Sequence, residues 1–294
     1  MITIINRTLD KLRLLRTYST DHNQQEWHAS LHMARTFVQC GELKQITSKH
    51  RTVFWRPYIG KTISTAIRFE FGASKKGHTI AIEFVPSKLT DDEWADFLGC
   101  CNLIVGVQSL MKNFKIQLLE LAMDVRRPIS EYVFVAPALK VSNIYYSAKG
   151  TIYIGAKSGR RSFTIYDKQK QLFEKKNVHV PHALMRIESK TRRLQIGISS
   201  LGLVTSPFHS LLVVSKSVLA EIQIGVKHDA VLKTFCDSTL NGMSGQDAYW
   251  EHGTEARKHI IKRLRPYALR LAKSPMHWAQ WIVGQQLHME QKMA

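Results

Sequence analysis

From Ile63 the chain alternates. Ile63, Thr65, Ile67, Phe69 and Phe71 interleave with Ser64, Ala66, Arg68 and Glu70, the two-residue period of a half-buried strand. A Lys75-Lys76-Gly77 turn leads to Ile80, Ile82 and Phe84, opposed by Thr79, Ala81 and Glu83, which predicts a hairpin. Thr90 with Glu93 three residues on is a capping box, and Trp94, Phe97, Leu98, Cys101, Ile104 and Val105 repeat at helical spacing to about Leu110. Ile116 to Val125 returns to period two, with Leu119, Leu121, Met123 and Val125 on one face and Glu120, Ala122 and Asp124 on the other. Pro128 to Pro137 reads as a connection. Thr151–Ile154 and Ser162–Asp167 form a second hairpin around Lys157-Ser158-Gly159-Arg160-Arg161, and Ala183–Glu188 a further strand.

Beyond about residue 205 the period changes. Phe208–Ile222 and Asp229–Leu240 read as helices, Ser244 with Asp247 as a capping box, and Ser274-Pro275 as a helix start. Ile260, Ile261, Leu264, Ala268 and Leu271 keep helical register, and Pro266 should kink or divide that element. Residues 1–60 are polar and poorly periodic, with a helix near 24–38. The expected architecture is α+β: a mixed or antiparallel sheet with helices packed on one face, then a mainly helical C-terminal region. It divides into a poorly defined segment 1–60, an α+β domain 61–205 and a helical, basic region 206–294.

Charge narrows the partner. Over 294 residues, 42 Lys and Arg oppose 23 Asp and Glu, a formal +19, which a small acidic substrate would not require and a polyanion would. At 44% hydrophobic residues the chain can bury a substantial core, so it is neither a disulfide-held miniprotein nor a disordered tail. No apolar run reaches the roughly 18 residues of a membrane span, and charges at Arg7, Asp10, Lys11 and Arg13 interrupt any signal peptide, so a cytoplasmic protein is expected. Cys40, Cys100, Cys101 and Cys236 form no CxxC unit, and the adjacent pair is expected as buried free thiols on a helix. His179-Val-Pro-His182 has a proline where a strand should pair, so it is set aside as a metal-binding motif.

Four blocks carry a resemblance. Leu119-Glu-Leu-Ala-Met-Asp-Val125, then Tyr153-Ile-Gly-Ala-Lys-Ser158, then Ile165-Tyr-Asp-Lys168, then Arg186-Ile-Glu188 follow one another over about residues 116–190. In order and spacing they resemble the trans-acting initiators of rolling-circle replication found in small plasmids, and related phage proteins. The resemblance implies a nickase in a bacterial cytoplasm: Tyr166 matches the tyrosine that attacks a phosphodiester, stays linked to the 5′-phosphate and frees a 3′-hydroxyl. Asp124, Asp167 and Glu188 match acidic positions, which implies a divalent metal, Mg²⁺ or Mn²⁺, offsetting charge on the phosphoryl oxygens. A host helicase and a homodimer are implied as well.

The residues leave alternatives beside this. A strand tyrosine is more commonly a packing residue, and acidic residues on a polar strand face are commonly paired with neighbours such as Arg186. Tyr153 is read as structural. Tyr166 and Asp167 point to opposite faces of a regular strand, so both serve one site only where the strand ends, twists or bulges. Glu120 lies roughly 13 Å along the strand from Asp124, and Glu70 and Glu83 could add a ligand only if their strands neighbour it. Lys157, Arg160, Arg161 and Lys168 are suited to phosphate beside the tyrosine, and Arg257, Lys258, Lys262, Arg263 and Arg265 to duplex DNA at an origin. The competing reading is a non-catalytic DNA-binding protein or replication regulator, for which the charge alone suffices.

Overall fold

The computed structural model describes residues 4–19, 21–48, 51–57, 67–74, 77–139, 145–146, 150–156, 158–225, 228–269, 284, 287–288 and 291. Residues 63–66 of the first predicted strand, the Lys75-Lys76 turn, Lys157, Leu271 and the Ser274-Pro275 helix start lie outside them. The chain divides into two compact units that interleave in sequence: Thr8–Leu121, Arg192–Val204 and Ala279–Ala294 in the first, and Met1–Arg7, Ala122–Thr191 and Thr205–Trp278 in the second.

The first unit carries β1 (Ile4–Tyr18) from Thr8 onward, α1 (Asp21–Gln39), β2 (Lys44–Ser48), β3 (Arg51–Trp55), β4 (Arg68–Ser74), β5 (Gly77–Phe84), α2 (Asp91–Ile104), α3 (Val107–Asn113) and the start of β6 (Lys115–Val125). Its strands lie in the order β2-β3-β4-β5-β1-β6. The predicted hairpin is present, with Phe69 opposite Ile82 and Phe71 opposite Ile80. Those four side chains, with Leu12, Leu14 and Phe84, are buried. Helices cover this apolar face: Trp27 on α1 packs edge-on against Phe71 and donates its indole N–H to the Thr79 carbonyl at 3.1 Å, and Phe97 on α2 stacks on Phe84 at 4.6 Å.

The other face is charged. Opposite one another in register stand Arg13 and Glu83, and Glu83 and Arg68. Glu83, 7% exposed, meets Lys11 at 3.3 Å, Arg13 at 3.2 Å and Arg68; Glu70 bridges Arg13 and Arg51, each at 3.0 Å. Both acids are thus committed to cations of their own sheet. Burial alone would push the Glu83 carboxyl upward; the three cations outweigh it and hold it below its ordinary value.

The helix expected to reach Leu110 divides. The Thr90–Glu93 capping box starts α2, but the chain bends by 83° between α2 and α3, where Gly106 adopts φ +75°. Hydrophobic spacing continued across the break because Leu110 still turns inward. Cys100 and Cys101 are buried free thiols on α2 as expected, and burial pushes the Cys100 thiol up to about 11. Residues 4–18, where no element was expected, are a long strand. Its burial changes phase between Leu9 and Leu12, so no single alternation runs through it. Among the described residues no single helix is long and apolar enough to cross a membrane.

The second unit contains the end of β6, β7 (Tyr132–Val135), β8 (Tyr145–Tyr146), β9 (Ile152–Ile154), β10 (Arg161–Asp167), α4 (Lys168–Lys176), β11 (Met185–Arg192), β12 (Leu212–Ser215), α5 (Lys216–Gly225), α6 (Ala230–Leu240), α7 (Gly245–Trp250) and α8 (Thr254–Leu264). Strands run β6-β11-β10-β9-β8, and β10 pairs antiparallel with both neighbours. Two expectations are corrected. The connection Pro128–Pro137 contains β7, and the helix expected over Phe208–Ile222 begins as β12; the two pair antiparallel as a separate ribbon. Both are short apolar runs buried on both faces, which periodicity cannot tell from helix or linker. α5, α6, α7 and α8 then close a core of Val133, Val135, Val214, Leu219, Phe235 and Ile260 around the ribbon. Gln246 at the start of α7 fastens it, accepting from the Ala136 N–H at 2.6 Å and donating to the Ala136 carbonyl at 3.0 Å and the Leu139 carbonyl at 2.8 Å. Pro266 ends α8 in a single 3₁₀ turn, Arg265–Tyr267. The whole is an α+β fold with antiparallel sheet, helices on one face and a mainly helical C-terminal region.

Candidate active site

The hairpin β9–β10 and the strand β11 make a three-stranded surface in the second unit. Gly155 turns the chain out of β9 at φ +94°; a Cβ there would sit 2.8 Å from the Arg161 carbonyl oxygen, so only glycine lets the two strands approach this closely. Burial alternates along β11, with Met185, Ile187 and Ser189 inward and Arg186, Glu188 and Lys190 outward. Along β10 the same alternation turns Phe163 and Ile165 inward. Register brings Tyr166 opposite Arg186 and Thr164 opposite both Glu188 and Tyr153. Directly opposed residues share a face. Tyr153, Thr164, Tyr166, Arg186 and Glu188 therefore line one polar surface, on which Tyr153 is 38% exposed.

On that surface the half-buried Tyr166 donates its hydroxyl to Glu188 Oε1 at 2.8 Å. Arg186 turns to the neighbouring strand β6, donating Nε to Asp124 Oδ1 at 2.6 Å and Nη2 to Oδ2 at 2.8 Å. This is a bidentate fork between side chains only 12% and 11% exposed. Strand geometry ends at Asp167. That residue is the last of β10 and the N-cap of α4, and its carboxylate accepts the Lys170 N–H at 2.9 Å. The chain leaves strand geometry there, and the Lys168 ammonium comes within 5.9 Å of the Tyr166 ring centre and 3.2 Å of Gln171 Oε1. The N–H groups of Lys168 and Gln169 both donate to the Leu184 carbonyl, at 2.7 and 3.2 Å, fastening the start of α4 to the approach to β11.

Tyr166 and Glu188 are thus in contact, as are Asp124 and Arg186, while Asp167 caps a helix. Each of the three carboxylates expected as metal ligands has a protein partner. Among the described residues no group of three or more His, Cys, Asp and Glu is gathered to hold a metal ion. Arg186 takes both oxygens of Asp124, one Asp167 oxygen is turned to a backbone amide, and Glu188 meets the phenol, so the three carboxylates are not gathered into one ligand set as arranged.

The basic residues fall into two groups. Arg160 is exposed at the tip of the hairpin, and Arg161 is half-buried, with Nη1 donating to Ser210 Oγ at 3.2 Å. On α8, Arg257 stacks over Trp250 at 3.9 Å, Lys258 pairs with Glu255 at 2.7 Å, and Arg263 lies 3.7 Å from Asp229. Lys262 and Arg265 are exposed. Sequence reasoning missed the exposure of Tyr153 and the contact of Ser210 with Arg161. The cross-strand register would have shown the first; nothing local marks Ser210, which lies 49 residues from Arg161 along the chain.

No family model matches the sequence, and neither does any curated protein. Among solved structures, the rolling circle replication initiator protein from Geobacillus stearothermophilus is similar, with 13% sequence identity, 96% of this chain and 97% of that chain covered, and a TM-score of 0.36. That distance leaves the functional reading to the residues.

Proposed function

We propose that the chain initiates rolling-circle DNA replication by nicking one strand at an origin, with Tyr166 as nucleophile. The observation that carries this reading is the hydrogen bond from Tyr166 to Glu188 on an outward polar surface of a basic chain. A phenol with an ordinary pKa of about 10 is protonated at neutral pH and needs a base. Glu188 accepts the phenol proton as Tyr166 Oη attacks phosphorus. The O–P bond to Tyr166 forms as the bond to the 3′-oxygen breaks, and that oxygen takes a proton from water to become the 3′-hydroxyl. Lys168 supplies positive charge beside the phenol, and Arg186, held by Asp124, keeps the β6–β11 side of the surface in register. Exposed Tyr153 offers a ring on which a base of the single strand stacks. A homodimer and a host helicase belong to the same proposal, as does duplex binding by the basic α8 region.

The test is a supercoiled plasmid carrying the DNA that flanks the reading frame, incubated with the protein in Mg²⁺, in Mn²⁺ and in EDTA. Relaxed circles with protein covalently attached are expected, and Tyr166→Phe should lose both products. Relaxation by Tyr166→Phe at the original rate would overturn the assignment. A second reading, a DNA-binding protein without catalysis, draws on the committed carboxylates described above. Covalent capture separates the two, since salt-sensitive DNA binding is expected of both.

A further inference from the structure

Where β10 begins, the second unit holds a cavity of about 390 Å³ whose polar lining comes from Arg161, Thr205, Ser206, His209, Ser210 and Arg265. No carboxylate is among its lining residues. Two polar atoms there lack a partner: Arg161 Nε and Ser206 Oγ are both buried with no hydrogen bond. Ser206 is only 5% exposed. Ser210 Oγ, which accepts from Arg161 Nη1, spends its own proton on the Pro207 carbonyl at 2.7 Å, so it fixes the guanidinium without neutralising it. A half-buried cation with an idle N–H, beside an idle buried hydroxyl and a second arginine, lacks a counter-charge, and leaving such groups unmatched is costly. Burial and the neighbouring Arg160 both weaken the hold of Arg161 on its proton, as expected of an uncompensated guanidinium.

We propose that this cavity is a phosphate-binding site, in which Arg161 Nε and Ser206 Oγ donate to one phosphate group and Arg265, exposed at its edge, closes over it. A tetrahedral oxyanion accepts from several directions at once, which suits donors converging from β10, from the 205–210 segment and from the end of α8. The site is separate from the Tyr166–Glu188 pair, and the Gly155 turn fixes the position of Arg161 from which it is built. It rests on the DNA reading only for the carrier of the phosphate: a strand held here would be anchored by its backbone while the tyrosine acts elsewhere along it.

The probe is inorganic phosphate, titrated by calorimetry and by thermal unfolding against sodium chloride of equal ionic strength. Phosphate should bind and raise the unfolding temperature beyond the chloride control. Arg161→Gln and Arg265→Gln should each weaken binding roughly tenfold or more. Because Arg265 is exposed, its variant folds even if Arg161→Gln does not. Equal effects of phosphate and chloride, or Arg265→Gln binding phosphate as the original does, would overturn the site. A 12-nucleotide single strand, measured in a Tyr166→Phe background, identifies the carrier. If the strand and inorganic phosphate are weakened together by Arg265→Gln, the cavity holds a DNA backbone phosphate. If only inorganic phosphate is weakened, it holds a free phosphate-bearing molecule. Loss of nicking with phosphate binding intact bears on the tyrosine and leaves the cavity standing.

Discussion

Glu188 and Asp124 are both strand carboxylates, yet their partners assign them different work, and substitution should separate them. Glu188 accepts from a phenol, so Glu188→Gln keeps the hydrogen bond but removes the base; folding should be unchanged and nicking should fall roughly 10²- to 10⁴-fold. Asp124 holds Arg186 in a nearly buried fork. Asp124→Asn leaves a guanidinium uncompensated and should cost about 3 kcal/mol in urea unfolding. Equal losses of stability in the two variants would contradict this division of roles. Motif order singled out the tyrosine and the three carboxylates as candidates. What was hidden was how the carboxylates are spent, because pairing depends on register: Arg186 is 62 residues from Asp124 in sequence. The Arg161 cavity was hidden for the same reason, its hydroxyls arriving from a segment with no motif of its own.

At the scale of elements, the charged face of the first unit and the break between α2 and α3 make separable predictions. Glu83 is wedged among Lys11, Arg13 and Arg68, so Glu83→Gln should cost roughly 3 kcal/mol by leaving three cations facing one another. Its folded-state pKa lies below the ordinary 4.5. The stabilisation is therefore fully present above the unfolded value and is lost as pH falls through the folded one. The original protein should lose stability more steeply than Glu83→Gln on acidification below about pH 4.5. Gly106 is a purer test of backbone. A Cβ there would meet nothing nearer than Ser109 Cβ at 3.9 Å, so the cost of Gly106→Ala is that of φ +75° alone, about 1 kcal/mol. A variant as stable as the original would mean the bend is not held in that conformation. Elements with one clean period, such as β4, β5, β6 and β10, could be read from the chain, as could α2 with its capping box. β7 and β12 could not, because apolar residues occupy both of their faces and leave no polar alternation to read. Nor could β1, whose charges look like a surface until the acids that compensate them arrive from β4 and β5.

For the whole molecule the +19 charge is first a prediction about salt. If DNA is the partner, the logarithm of the binding constant should fall linearly with the logarithm of salt concentration, with a slope near 0.9 for each duplex phosphate neutralised. The slope also tests whether the excess acts as a diffuse cloud or through a surface. Lys258 and Lys262 stand on the solvent side of α8, whose inner side is held by Ile260 and Leu264. Arg51 is equally exposed, at 63%, and like Lys258 with Glu255 it is paired with a carboxylate, Glu70, but it stands on the charged sheet face of the first unit. All three substitutions to Ala remove one formal charge each. A diffuse effect predicts equal, small changes in affinity at every salt concentration. Contact by α8 predicts that Lys258→Ala and Lys262→Ala each lower the slope by about 1 while Arg51→Ala leaves it unchanged. Duplex titrations at four salt concentrations are enough to distinguish these outcomes. An unchanged slope in both lysine variants would remove α8 from the DNA-binding surface and leave the origin contact to be sought among the arginines of the β9–β10 hairpin.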